Sequence, residues 1–132
     1  MAYYEDSSPY KYIKRLQGDK IVNIGWLDKK HPFQEGIVDN SILLKLFEMC
    51  KNLINRTRGY HMCPFCESPE YGEEITLEES TLKLGSAEVW VKGNDGITYV
   101  APNLIYHYIT KHKYLPPQEF LDAIESISIG DI

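Results

Sequence analysis

Glu88-Val89-Trp90-Val91-Lys92-Gly93-Asn94-Asp95-Gly96-Ile97-Thr98-Tyr99-Val100-Ala101-Pro102 is the stretch that decides how this chain folds. Val89 and Val91 alternate with Glu88, Trp90 and Lys92, the period of a half-buried antiparallel strand. Gly93-Asn94-Asp95-Gly96 is a strong hairpin turn, and Ile97 to Val100 reads as the returning strand. Pro102 then suits the first turn of a helix over roughly 102–112. Leu104, Ile105, Tyr108 and Ile109 would form the apolar stripe of that helix.

Upstream, Glu73 to Leu77 and Thr81 to Leu84 are two more strands joined by Glu78-Glu79-Ser80, so residues 73–100 read as a β-meander. Residues 40–55 carry the clearest helical period, with Ile42, Leu43, Leu46, Phe47, Cys50, Leu53 and Ile54 on one face. Asp39, Asn40 or Ser41 can cap its start, and Gly59 can take a positive φ beyond its end. Ile21 to Leu27 reads as a short buried strand. Pro116-Pro117 starts a last helix with Phe120, Leu121, Ile124 and Ile127 on one face. No repeat or linker divides the chain. The expected architecture is one α+β domain over 1–132, an antiparallel meander packed against about three helices, with a zinc knuckle.

The chain has 132 residues, 43% of them hydrophobic and 25% charged, enough to bury a core without a metal. Its net charge of −5 argues against phosphate-backbone binding, which needs a basic footprint. The short basic clusters are Lys11 to Arg15, Lys29-Lys30 and Lys111 to Lys113. An acidic surface suits a basic protein partner better. The first residues, MAYYEDSSPY, have no apolar core of a signal peptide, and no apolar run is long enough to span a membrane. A cytoplasmic location is the expectation.

Three cysteines, two of them in Cys63-Pro64-Phe65-Cys66, fit metal binding in a reducing compartment better than a disulfide framework. His107 and His112 follow about forty residues later. Two thiols on a tight turn and two imidazoles make the ligand set of a tetrahedral zinc site. On an ideal helix, five residues at ~100° each leave the two imidazoles about 140° apart. Ligation by both therefore calls for a 3₁₀ or irregular turn at 110–114. His61 competes with either helix histidine as a ligand.

Other chemistry reads less well. A redox CxxC should open a helix, and Glu67-Ser68-Pro69-Glu70 does not. A catalytic zinc would keep one position open and have an acid or base near it, with Glu88, Glu67, Glu70 or His61 as candidates. The ordinary reading of Glu88 is an exposed strand position. HExxH and the deaminase signature are absent. Cys50 reads as a small buried hydrophobe, His31 as a capping or surface histidine, and Trp26 and Trp90 as packing residues.

Four blocks together resemble a family of uncharacterised bacterial proteins. They are Asn23 to Asp28 with His31-Pro32-Phe33; Thr57 to Cys66; Leu84-Gly85-Ser86-Ala87-Glu88; and Tyr99 to Ile109 followed by His112, Tyr114, Pro116 and Pro117. The resemblance covers nearly the whole chain and implies a single-domain bacterial protein, with no activity attached. The functional expectation is a non-enzymatic protein-interaction module with a structural zinc held by Cys63, Cys66, His107 and His112. The alternative is a metal-dependent enzyme using Glu88 or His61. A third is a nucleic-acid-binding zinc protein using Lys11 to Arg15, Arg56, Arg58 and Lys111 to Lys113.

Overall fold

The hairpin over 88–102 supplies the middle strand and one edge of the larger sheet. In the computed structural model, which describes residues 3–10, 20–52, 54–56, 60–66, 73–77 and 79–132, strand β4 (Glu88–Lys92) pairs antiparallel with β5 (Thr98–Pro102). Strand β1 (Ile21–Asn23) joins the other edge of β5, but in parallel, giving the order β1-β5-β4. The expected strand to Leu27 stops at Asn23 because Gly25 turns the backbone to φ 74°. Strands β2 (Glu73–Leu77) and β3 (Ser80–Leu84) form a second, two-stranded sheet. All four strands expected over 73–100 are present, but they make two sheets rather than one continuous meander. The α+β class stands.

Helix α1 (Asn40–Cys50) is shorter than the expected 40–55, and Asn55 beyond it is left-handed at φ 51°. Its start is closed by the Asp39 carbonyl accepting from Ile42 and Leu43, with no side-chain cap. Helix α2 (Ile105–His112) begins after Pro102, and α3 (Gln118–Glu125) follows the proline pair. The expectations that fall on Lys11 to Arg15, Leu53, Arg58, Gly59, Glu67, Glu70 and Glu78 lie outside the described residues.

Alternation along β4 and β5 divides the core. Val89, Val91, Tyr99 and Ala101 face Leu46 and Cys50 of α1, Ile105 and Tyr108 of α2, and Phe120 and Ile124 of α3. On the other face Tyr10, Ile21, Trp26 and Val100 form a smaller cluster with Trp90 against it. Residues 4–10 lie across this face as a strap, bridged at Tyr4 to Trp26 and at Pro9 to Val22. Asp6 fastens the strap by accepting from the Gly25 N–H (2.9 Å) and from the buried Tyr114 hydroxyl (2.7 Å).

Two glycines position what matters next. A Cβ on Gly25 would lie 2.9 Å from Ile105 Cδ1, so only glycine lets α2 sit this close to the end of β1. Gly85, at φ 114°, gives its N–H to the Asn103 side chain (2.7 Å) and its carbonyl to the His61 N–H (2.9 Å). One residue thus braces both the start of α2 and the approach to the CxxC turn.

Candidate metal centre

The CxxC turn closes on itself, the Cys66 N–H donating to the Cys63 carbonyl at 3.4 Å. Phe65 points inward from that turn. Its ring packs on Phe33 (5.3 Å), His112 (5.4 Å) and Tyr108 (5.9 Å). This anchor sets the two sulfurs against the C-terminal half of α2.

The four sequence-predicted ligands come together. Cys66 Sγ lies 3.2 Å from His107 Nε2 and 3.4 Å from His112 Nε2, and Cys63 Sγ lies 3.3 Å from His112 Nε2. One donor atom from each residue falls within 4.8 Å of every other. Bond lengths of zinc to sulfur and nitrogen put the S···N edge of a tetrahedral site at ~3.5 Å. The donor set and its spacing therefore fit a metal ion. Cys63 and His107 are buried, while Cys66 and His112 are half-buried.

The two imidazoles approach with ring centroids 5.1 Å apart. Of the two distortions expected at 110–114, the 3₁₀ turn does not occur and the irregular one does, because the helix opens. The Lys113 N–H reaches back to the Tyr108 carbonyl, an i→i−5 bond, and the Tyr114 N–H reaches the same carbonyl at 3.1 Å. Such a wide turn holds more residues than an α turn, so side chains five apart swing toward one face. Thr110 helps, its hydroxyl donating to the Tyr106 carbonyl at 2.9 Å in the i−4 pattern that bends helices. Lys113 then leaves the helix in the left-handed region at φ 59°.

Burial pushes the Cys63 thiol up to about 12. Without a cation it stays protonated at neutral pH, and a bound metal is what would make it a thiolate. All three cysteines are free of disulfides. Cys50 is buried in the core, and desolvation raises its thiol to about 12, as expected of an inert small hydrophobe.

The remaining candidates sit elsewhere. His61 is exposed and outside the four-residue group, and partial desolvation holds its imidazole below the ordinary value. His31 is exposed, bonded through Nδ1 to Asp28 at 2.7 Å and stacked on Tyr3. Glu88 is not the exposed strand residue expected, since it is only 8% exposed. Its carboxylate accepts from Asn55 Nδ2 (2.6 Å), Trp90 Nε1 (3.0 Å) and the Tyr10 hydroxyl (3.2 Å). Alternation in the sequence gave the face of Glu88 but not the strap residue Tyr10 that covers it. No helix among the described residues is long and apolar enough to cross a membrane.

These observations define a class: an α+β domain with a Cys2His2 group that can hold a metal ion. The chain belongs to the family described as Domain of unknown function (DUF7919), whose profile matches residues 2–125. No curated protein and no solved structure matches it.

Proposed function

We propose that this chain is a small bacterial, cytoplasmic zinc protein. In this reading Cys63, Cys66, His107 and His112 hold one structural zinc, and the domain serves as a non-enzymatic protein-interaction module. The observation that carries the metal reading is the convergence of two sulfurs and two imidazole nitrogens from segments about forty residues apart. Two thiolates and two neutral imidazoles suit zinc by charge and softness. When bound, zinc would supply a cross-link between the knuckle and α2. A CxxC pair with no disulfide fits a reducing, cytoplasmic setting. The four blocks of resemblance support a bacterial origin.

Four protein donors close a tetrahedral shell, which supports a structural role over catalysis. The net charge of −5 supports a basic protein partner. The enzyme reading stands second, because Glu88 is committed to Tyr10, Asn55 and Trp90 rather than to the metal group. The nucleic-acid reading stands third, since Lys11 to Arg15 and Arg58, on which it leans, lie outside the described residues.

Metal content by mass spectrometry, on protein purified without added metal or chelator, tests the first half. About one zinc per chain is expected, and a metal-free folded protein would end the proposal. Cobalt substitution tests the second. A closed shell keeps its absorption spectrum when azide is added, whereas a spectral change would reveal an open position and favour the enzyme.

A further inference from the structure

Tyr108 carries a hydroxyl that is fully buried and has no hydrogen-bond partner. It sits on α2 between the two histidines of the metal group. It follows His107 directly and precedes His112 by one helical turn, so it shares a helix face with His112. Its ring packs on Phe65, which lies between the two cysteines in the turn and also touches His112. Cys63 and Tyr108 belong to the same buried cluster, with Cys66 packed against it.

An unsatisfied buried hydroxyl is destabilising, and phenylalanine would fill the same space without that cost. A tyrosine there calls for an acceptor. A neutral thiol is a weak acceptor, whereas a metal-bound thiolate is a strong one, and ligand atoms in metal sites are commonly held by donors of this kind.

We propose that Tyr108 is a positioning residue of the metal centre, its hydroxyl donating to the Cys63 sulfur once metal binding has made that sulfur a thiolate. The proposal rests on the metal-binding reading above. The hydrogen bond orients the thiolate and draws charge from it, so it strengthens metal retention and lowers sulfur reactivity. In the metal-free protein the same hydroxyl is a defect. Tyr108 would thus stabilise the loaded state and penalise the empty one.

The test compares wild type with Tyr108→Phe in three measurements: zinc affinity by competition with a chromophoric chelator, thiolate-to-cobalt charge-transfer bands, and thermal stability without metal. Ile109→Val, a neighbouring core truncation that leaves the hydroxyl in place, is the control. The expected Tyr108→Phe result is a ten- to hundredfold loss of zinc affinity. Its charge-transfer bands should move to lower energy, and its metal-free stability should equal or exceed that of wild type. Ile109→Val should keep the wild-type bands. Wild-type affinity and wild-type bands in Tyr108→Phe would overturn the proposal while leaving the metal site standing. Failure of the wild-type protein itself to take up zinc or cobalt would instead remove the metal reading, and this inference with it.

Discussion

Glu88 and the Cys63, Cys66, His107, His112 group are both polar clusters held inside the fold, but they are built from different chemistry. Around Glu88 an acceptor meets donors. Tyr10, Asn55 and Trp90 each supply an N–H or O–H from a different segment, and one negative charge is dispersed over three hydrogen bonds. Around the cysteines, two thiols and two imidazoles face one another, with S···N approaches of 3.2, 3.3 and 3.4 Å. A cation with affinity for both sulfur and nitrogen could serve all four donor atoms at once. Burial without a charged partner marks neither as functional. The informative difference is whether the opposing chemistry is already supplied by the fold.

The largest expected effect comes from breaking the cysteine–histidine cluster. Cys63→Ser should lose the metal. At free zinc a thousandfold above Kd, the lost linkage is about 4 kcal/mol, a fall in Tm of roughly 10–20 °C. Calorimetry with and without added zinc checks this, and the zinc-free wild type should resemble the variant. Equal Tm values for wild type with and without bound zinc would mean that the site contributes no stability. A smaller effect is expected at the Glu88 cluster. Glu88→Ala strands three donors and should cost ~2–4 kcal/mol in urea unfolding, with zinc content unchanged. A loss of zinc in that variant would show that the two clusters are coupled and blur the contrast.

The smallest effect belongs to Asp95, a carboxylate also satisfied by its own chain but at the surface. It accepts from the Ile97 N–H (2.9 Å) and the Tyr99 hydroxyl (3.0 Å) at the β4–β5 turn. The Ile97 N–H chiefly, with the Tyr99 hydroxyl, outweighs desolvation and holds this carboxyl below the ordinary value. A depressed folded pKa means stabilisation that is complete above the usual carboxylate range and lost as pH falls through the lowered value. The stability gap between wild type and Asp95→Asn should therefore shrink as pH is taken from about 6 towards 2. A gap that widens on acidification would contradict the assignment.

Much of this was readable in advance because it is local. Valine alternation at 89 and 91, the Gly93–Gly96 turn and the apolar stripe of α2 each depend on residues within a turn or two of one another. The four candidate ligands were legible for a different reason: soft donors are rare enough that their identity alone suggests a common target. The parallel pairing of β1 with β5 was not legible, because alternation names a face and not a neighbour. The burial of Glu88 was missed on the same grounds. Its partners Tyr10 and Asn55 lie 78 and 33 residues away. On an ideal helix His107 and His112 would diverge, and it is the widened turn at the Tyr108 carbonyl, not either histidine, that turns them toward one another.

The separation of the ligands carries a mechanical meaning. Cys66 and His107 are 41 residues apart, and β2, β3, β4 and β5 all lie between them. A metal at this point closes that whole span into a ring. Pulled from its two ends, the loaded chain cannot extend the ring until a coordination bond breaks, and roughly 140 Å of contour stays hidden until then. Both hairpins would thereby be sheltered from tension. The helix α1 and the N-terminal strap lie in the direct line of load, so a bound metal would set the order in which the parts give way.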